Sequence, residues 1–303
     1  MSFAIQFPGQ GSQRPGAGRA WRAHPAWSVV ERAEDALGEP LAPLLLDADA
    51  EALGRTRASQ LQVLLLSLMA WEAAAPELGR PIAISGHSLG QVTALIASGA
   101  VGFDDGIRFA AARAAATQAA ADASGGAMLA LLGASEAQAR DACSVAPDAC
   151  WIANLNAPGQ VVVAGTSHGV AAVGASASDH GIRRTRALDV GGAFHTPLMA
   201  PAADSLAGTL AATTFHDTTV PVVTNHDALP HTDAAGWPER LTRHLVEPVR
   251  WQHCVDTLIE LGAQRLIEIG PGATLNALAK RIAPDTPTAS IETPEHLMTG
   301  AKP

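Results

Sequence analysis

Short apolar runs alternate with segments of helical spacing along most of the chain. Phe3–Phe7 is apolar enough for a short strand, and residues 25–37 place apolar side chains at helical intervals before Gly38. Residues 59–75 predict a more apolar helix that is buried on most sides. A second apolar run, at residues 82–84, leads directly into a turn. Strands that alternate with helices in this way predict an α/β fold with a mainly parallel sheet.

Residues 86–90 read Gly-His-Ser-Leu-Gly and lie between a predicted strand and a predicted helix. This is the context of a G-x-S-x-G nucleophile elbow, in which a strained turn projects the serine hydroxyl outward. Glycines two positions before and after the serine let backbone pass where a Cβ would clash. The helix after Ser88 also points its free N–H groups at any oxyanion formed there. We interpret Ser88 as a nucleophile; the simpler alternative is a tight strand-to-helix turn.

After residue 124 the pattern of predicted strands and helices changes. The pattern predicts a strand at residues 127–132, a helix begun by a capping box at Ser135, two strands joined by a turn, a second helix and a last strand. The order βαββαβ is that of a ferredoxin-like unit. We therefore predict a ferredoxin-like small subdomain at residues 125–191. It is inserted into an α/β-hydrolase-like large subdomain that comprises residues 1–124 and 192–303.

A serine nucleophile needs a base, and the chain has eleven histidines. His195 has the best setting, because it follows a glycine loop where the chain returns to the large subdomain. His87 is a poor candidate, since adjacent side chains diverge on an elbow. Four other histidines stay open as candidates: His226, His231, His244 and His253. The simpler alternative for His195 is a helix-capping role.

Composition narrows the function classes. The chain has 303 residues, of which 48% are hydrophobic, and is long enough to bury a sizeable core. A net charge of −9 argues against a nucleic-acid binder, and three scattered cysteines are too few for a disulfide framework or a zinc site. The sequence shows no signal pattern and no apolar run of membrane-spanning length. These features predict a cytoplasmic enzyme with no cofactor, no metal and no membrane association.

Six segments carry motifs of one family, at residues 7–13, 86–90, 156–162, 193–195, 248–251 and 268–272. Their identity and order resemble the malonyl-CoA:acyl-carrier-protein transacylases, relatives of the acyltransferase domains of polyketide synthases. Two positions depart from the family pattern. Gln91 follows the elbow where glutamate is usual, and His244 stands where glutamine is usual.

The resemblance implies a ping-pong transfer of a malonyl group from malonyl-CoA, through an ester on Ser88, to the phosphopantetheine thiol of an acyl carrier protein. Such transfers serve fatty acid or polyketide biosynthesis. The coenzyme A thioester is a substrate, so the resemblance implies no cofactor. We expect the enzyme to be a monomer.

The resemblance also assigns roles to individual residues. The implied site consists of Ser88 and His195 as the catalytic pair, the N–H groups of Gln10 and Leu89 as the oxyanion hole, Arg113 as the partner of the substrate carboxylate, and Phe194, His244 and Gln118 as residues that shape the acyl pocket or orient the histidine. His244 would orient His195 through its main-chain carbonyl. Without the resemblance, Arg113 reads as a charge on the solvated face of a helix, and Gln10 as a turn residue.

Three alternatives stay open at this point. An esterase or thioesterase could use the same Ser–His pair, although no compelling acid completes a triad. An enzyme of the same fold could transfer another acyl group or use another acceptor, as in a polyketide pathway or in the malonyl-transferring subunit of malonate decarboxylase. A non-enzymatic docking module for carrier proteins would leave Ser88, His195 and Arg113 unexplained.

A carrier protein is generally acidic, and this chain is acidic too, so docking needs a local basic patch. Arg183, Arg184 and Arg186 cluster on the last strand of the predicted small subdomain. We predict that they contact the carrier. The alternative is a solvated, charged edge strand.

Overall fold

A computed structural model of the protein describes residues 2–299. Within them the strands are β1 (Phe3–Phe7), β2 (Ala83–Gly86), β3 (Gly126–Leu132), β4 (Cys150–Ala157), β5 (Gln160–Thr166), β6 (Arg184–Ala187), β7 (Val222–Val223), β8 (Pro230–His231), β9 (Arg265–Ile269) and β10 (Thr288–Ile291). The α-helices are α1 (Ser28–Leu37), α2 (Ala42–Leu46), α3 (Ala50–Gly54), α4 (Thr56–Leu78), α5 (Leu89–Ser98), α6 (Phe103–Ser124), α7 (Glu136–Cys143), α8 (Ser167–Ser176), α9 (Ala200–Ala212), α10 (Trp237–Val246), α11 (Trp251–Glu260), α12 (Thr274–Ile282) and α13 (Pro294–Thr299).

The larger sheet has the strand order β10-β9-β1-β2-β7-β8. All its neighbouring strands are parallel except β7 and β8, which are antiparallel. Every residue of β1 is buried, as expected for a parallel strand covered on both faces. The register pairs Phe7 with Gly86, so β1 and β2 end side by side. The loops that follow these two strands therefore begin next to each other, where α/β sheets place ligand-binding groups.

The helix α4 is the most apolar long element. By length and composition it could cross a membrane, with a mean hydropathy of 1.2, which contradicts the expectation that no segment reaches that length. Of its most apolar stretch, 67% is buried inside the protein. Val63, Leu64 and Met69 contribute to the main core between this helix, the sheet and α6. The helix is buried on most sides, as its sequence pattern predicted.

The smaller sheet is antiparallel and has the order β4-β5-β3-β6. In the chain its elements follow the order βαββαβ, and the predicted capping box forms at Ser135 with Gln138. An apolar cluster that includes Leu131, Val163 and Val173 packs the two helices α7 and α8 against one face. The predicted α/β fold class with a small ferredoxin-like unit is confirmed. The subdomain limits at residues 125 and 191 stay a prediction.

Three details differ from the sequence pattern. The sequence pattern at residues 221–225 predicts a strand, but only Val222–Val223 form one, because Thr224 turns the chain and bonds to Leu229. The last strand of the small subdomain, for which the pattern predicts residues 184–190, ends at Ala187. Strand β10 was not predicted at all; its pairing with β9 depends on a contact between distant parts of the chain that no local pattern reveals.

Two glycines of the elbow are required by close contacts rather than by flexibility. A Cβ on Gly86 would lie 2.0 Å from the carbonyl of Gly90, and a Cβ on Gly90 would lie 2.1 Å from the carbonyl oxygen of Phe7. Strand β2, helix α5 and the end of β1 therefore touch backbone to backbone. This packing brings the loop after β1 against the residue on which the site is centred, Ser88.

The substitution Gly90→Ala should destabilise the protein by about 1–3 kcal/mol or more, because the added methyl group overlaps backbone that cannot rotate away. Gly208→Ala is the matched control, since Gly208 is also helical and its Cβ would meet no atom within 4 Å. That control should stabilise the protein by about 0.5–1 kcal/mol through helix propensity. Thermal unfolding of both variants measures the difference; equal melting temperatures would contradict the contact argument.

Candidate active site

Ser88 lies on the sharp turn between β2 and α5. Its backbone has φ 50° and ψ −106°, a conformation that costs a non-glycine residue strain. The turn is held by the hydrogen bond from the Ser88 N–H to Asn225 Oδ1, at 2.8 Å. The nucleophile elbow predicted from the sequence is therefore present, with the hydroxyl at the amino end of α5.

His195 is the base that the structure brings to Ser88. Its Nε2 lies 2.7 Å from Ser88 Oγ, and its Nδ1 lies 2.9 Å from the main-chain carbonyl of His244. Since a carbonyl can only accept, Nδ1 carries the proton and Nε2 is left to accept one from the serine. Burial, with the nearby charge of Arg113 as the second cause, lowers the pKa of His195 to about 3. The imidazole is therefore neutral and competent as a base near neutral pH.

A short loop sets the position of His195. The residue has φ 62°, so both members of the catalytic pair adopt left-handed backbone conformations. The Thr196 hydroxyl donates to the carbonyl of Ala193 at 2.6 Å and accepts from the N–H of Leu198, which caps the helical turn that follows. The hydrogen bonds of Thr196 thus fix the backbone around His195, and the His244 carbonyl fixes the orientation of its ring.

Arg113 extends from α6 to the nucleophile. One guanidinium nitrogen donates to Ser88 Oγ at 3.3 Å, another donates to the Gln60 side chain, and the side chain is only 4% exposed. Burial lowers the pKa of Arg113 to about 10, which keeps it charged at neutral pH. Its Nε is buried without a partner. A buried cation that lacks an acidic partner is an unsatisfied site for an anion.

Gln10 and Leu89 line the same cavity as Ser88. Leu89 is the first residue of α5, so its N–H lies among those that a helix leaves unpaired at its start. A Cβ on Gly9 would lie 2.4 Å from the carbonyl oxygen of His87, which shows how closely the loop after β1 approaches the elbow. The Ser88 N–H is already bonded to Asn225, so oxyanion stabilisation would fall to the other two residues.

The cavity at this site has a volume of about 240 Å³ and lies where the two sheets meet. The larger subdomain contributes the residues already described, together with Pro8, Met199, Leu245, Thr274, Leu275 and Leu278. The smaller sheet and the segment after it contribute Met128, Asn154, Asn156, Gln160, Val162, Leu188, Val190 and Phe194. No cluster of three or more histidine, cysteine or acidic side chains within residues 2–299 is arranged to hold a metal ion.

The structure brings together most, but not all, of the residues predicted from the sequence. Phe194 lines the cavity, but Gln118 does not; its amide donates to Asp122 one turn further along α6. Thr117 faces the cavity in its place. His87 bonds to Asn156 at 2.9 Å and not to Ser88, which agrees with its exclusion as the base.

In the described part of the chain, none of the remaining candidates is hydrogen-bonded to Ser88 Oγ. His226 and His231 both contact Asp227. The main-chain carbonyl of His244 contacts His195 Nδ1, which is the contact that the resemblance implied. Arg183, Arg184 and Arg186 are exposed on or beside the edge strand β6.

Sequence reasoning missed two buried amides. Gln60 accepts a hydrogen bond from Arg113 and donates to Thr117, and its position next to the apolar run of α4 could have revealed it. Asn225 follows the short strand β7 and bonds to the elbow, a role that only the pairing of β7 with β2 makes visible. Gln91, one of the two departures from the family pattern, accepts the N–H of Asn225 at 2.7 Å.

Comparisons with known proteins agree with this geometry. The profile of the acyl transferase domain family matches residues 6–292. The malonyl CoA-acyl carrier protein transacylase of Salmonella typhimurium is 38% identical over 295 residues, which cover 95% of this chain and 94% of that protein. The corresponding protein of Bacillus subtilis is 36% identical, with 97% and 94% covered.

Solved structures also match this chain over nearly its full length. An acyl-carrier-protein S-malonyltransferase from Burkholderia pseudomallei superimposes with a TM-score of 0.95 at 35% identity and full coverage of both chains. A type II polyketide synthase acyl-carrier protein in complex with its malonyl-transacylase gives a match with a TM-score of 0.93 at 34% identity, covering 99% of this chain and 98% of that one. The chain belongs to the acyl transferase domain family.

Proposed function

We propose that this protein transfers a malonyl group from malonyl-CoA to the phosphopantetheine thiol of an acyl carrier protein. The observation that carries the proposal is Arg113, a buried cation 3.3 Å from the nucleophilic Ser88 Oγ. A substrate carboxylate would supply the acidic partner that it lacks. The names of the relatives in Salmonella typhimurium and Bacillus subtilis agree with this reading.

The first half-reaction forms a malonyl ester on Ser88. As Ser88 Oγ attacks the thioester carbonyl, His195 Nε2 takes its proton, and the oxyanion faces the N–H groups of Leu89 and Gln10. Each such donor contributes roughly 3–4 kcal/mol in comparable sites. Collapse of the tetrahedral intermediate breaks the carbon–sulfur bond, and the coenzyme A thiolate leaves with the proton from His195.

The second half-reaction reverses these roles. The phosphopantetheine thiol gives its proton to His195 Nε2, and its sulfur attacks the ester carbonyl. When the oxyanion collapses, Ser88 Oγ leaves and recovers the proton. Throughout, the His244 carbonyl keeps the His195 Nδ1–H oriented at 2.9 Å without adding a negative charge to the site.

Selectivity for a carboxylate would come from one amide, Gln60, and one cation, Arg113. Gln60 is bonded to Thr117 at 3.0 Å and receives one guanidinium N–H, so it fixes the plane of Arg113. A planar guanidinium held in this way can bind a carboxylate in a bidentate manner. Phe194 would crowd the α-carbon of the acyl group and disfavour a methyl branch by about 1–3 kcal/mol.

Arg113→Ala should lower the rate of malonyl transfer to Ser88 by roughly 30- to 1000-fold, equivalent to about 2–4 kcal/mol. The same variant should gain relative activity with acetyl-CoA, because the unpaired cation that excludes neutral acyl groups is gone. Intact-mass measurement of the acyl adduct with malonyl-CoA and acetyl-CoA tests this. Arg108→Ala is the control, since Arg108 lies on the same helix but is exposed and pairs with Asp105.

Two results would contradict the proposal. Wild-type protein that prefers neutral acyl groups would exclude malonyl selectivity. An adduct that still forms in Ser88→Ala would place the nucleophile elsewhere.

The depressed pKa of His195 predicts an unusual pH profile. Because the folded pKa is about 3, the base stays neutral, and the rate of Ser88 acylation should be level from about pH 8 to about pH 5. A loss of rate with a midpoint near 6.5, the ordinary value for histidine, would contradict the assigned environment.

Stability should change in that same pH range. Burial lowers the pKa of His195, His244 and His87, so below about pH 6.5 the unfolded chain binds protons that the folded chain does not. The free energy of unfolding therefore falls as the pH falls. Melting temperatures between pH 8 and pH 5, measured alongside the rates, separate the two effects.

The carrier would approach over the edge of the smaller sheet. Arg184 and Arg186 are exposed on β6, and the chain continues from there to Leu188 and Val190, which line the cavity. Positive charge beside the opening would attract an acidic carrier in spite of the net charge of −9. A solved relative with its carrier protein bound is consistent with a docking surface for such a partner.

The double variant Arg184→Glu/Arg186→Glu should raise the KM for the carrier by roughly tenfold at low salt and leave acylation by malonyl-CoA unchanged. The double variant Arg80→Glu/Arg108→Glu changes the net charge equally and is the control, since neither arginine belongs to the smaller sheet or to the segment that follows it. Steady-state transfer to the carrier at two salt concentrations measures the effect. Equal KM values for the two double variants would remove β6 from the interface.

A further inference from the structure

The side chain of Asn225 closes the gap that the nucleophile elbow leaves in the sheet. The ladder between β2 and β7 ends with the pair Ser85 and Val223. Beyond it, Asn225 Nδ2 donates to the carbonyl of Gly86 at 2.9 Å, and Asn225 Oδ1 accepts the N–H of Ser88 at 2.8 Å. One side-chain amide thus satisfies the two main-chain groups on either side of the turn.

Asn225 itself is fixed at every polar group. Its N–H donates to Gln91 Oε1 at 2.7 Å, and its carbonyl accepts the N–H of Arg250 at 2.8 Å. The residue is completely buried. The amide therefore acts as a rigid support for the elbow rather than one that adapts to it.

The same oxygen also binds the ring of His244. His244 Nε2 lies 3.1 Å from Asn225 Oδ1. Since that oxygen can only accept, the His244 proton is on Nε2, and Nδ1, which is buried without a partner, carries none. Burial lowers the pKa of His244, which keeps this ring in the neutral form.

These contacts form a closed circuit through the catalytic pair. It runs from the Ser88 N–H to Asn225, from Asn225 to the His244 ring, from the His244 carbonyl to His195, and from His195 back to Ser88 Oγ. The nucleophile and its base are therefore positioned against each other through a route that touches neither the acyl group nor coenzyme A.

We propose that Asn225 and the imidazole of His244 are positioning residues that set the geometry between Ser88 and His195. Their effect falls on the chemical step, because a small misplacement of reacting groups costs rate without weakening substrate binding. The requirement at position 244 is an N–H donor, not a histidine as such. This inference rests on the Ser88 nucleophile of the proposed function but not on the identity of its acyl group.

Asn225→Ala should lower the maximal rate of Ser88 acylation about 100-fold and leave the half-saturating malonyl-CoA concentration within about twofold. Ser85→Ala is the matched control, because it removes one buried hydrogen bond, from Ser85 Oγ to the Val223 carbonyl at 2.9 Å, in the same strand seam. That control should lose a few degrees of melting temperature and keep the wild-type rate. An Asn225→Ala protein that acylates at the wild-type rate per folded molecule overturns the proposal.

A second probe tests the reactivity of Ser88 with a reagent that carries no acyl group. Phenylmethanesulfonyl fluoride reacts when Ser88 Oγ forms a bond to sulfur, fluoride leaves, and the serine proton passes to His195. Asn225→Ala should slow this reaction by a factor similar to that for malonyl-CoA, since both depend on the same pair. If malonyl-CoA is not the substrate, the relative rates of the variants with phenylmethanesulfonyl fluoride stay the same. The experiment therefore tests the positioning role of Asn225 independently of the proposed malonyl transfer.

The variants His244→Leu and His244→Gln decide the case if Asn225→Ala does not fold. Both retain the main-chain carbonyl that binds His195, but only glutamine can donate to Asn225 Oδ1. We expect His244→Leu to react about tenfold more slowly than wild type and His244→Gln to restore most of the rate. Equal rates in the two variants overturn the proposal, because the side-chain donor would then have no effect on the chemistry.

Discussion

Backbone contact at the elbow is the constraint on which the site depends. Gly90 touches the carbonyl of Phe7, and Gly86 touches Gly90, so the ends of β1 and β2 and the start of α5 share one small volume. That contact places the Gln10 loop beside Ser88 and leaves the serine in a strained conformation. Strain of this kind persists only where the surroundings over-determine it, and here the amide of Asn225 is bonded to both sides of the turn.

Local patterns predicted those parts of the molecule that local physics determines. The elbow, the capping box at Ser135, the buried helix α4 and the βαββαβ order of elements in the small subdomain all follow from spacing and turn chemistry. The role of Arg113 did not follow, because a lone arginine on an alanine-rich helix reads as a surface charge. Gln60 and Asn225 were missed for a related reason: their partners are 53 and 137 residues away in the chain.

The seam between the two sheets determines which side chains surround the nucleophile. Strand β4 bonds to the segment before α11 through the N–H of Leu155 and the carbonyl of Val249, and again through Val249 N–H and the carbonyl of Ala153. On the other side, Asn156 holds His87, the neighbour of the nucleophile. The small sheet is therefore attached to the elbow and to the region after His244, and the cavity between them is bounded on both sides by ordered hydrogen bonds.

Within residues 2–299, no acidic side chain is hydrogen-bonded to His195 Nδ1, whose partner is the carbonyl of His244. A carboxylate bonded to His195 Nδ1 would bring a negative charge into the same buried region as the Arg113 guanidinium. The arginine would then be compensated before any substrate arrived. The His244 carbonyl fixes the same imidazole orientation without a net charge, and the uncompensated arginine helps burial to keep His195 neutral. The neutral partner of the His195 ring and the absence of a compensating charge beside Arg113 in the described residues are thus two aspects of one arrangement.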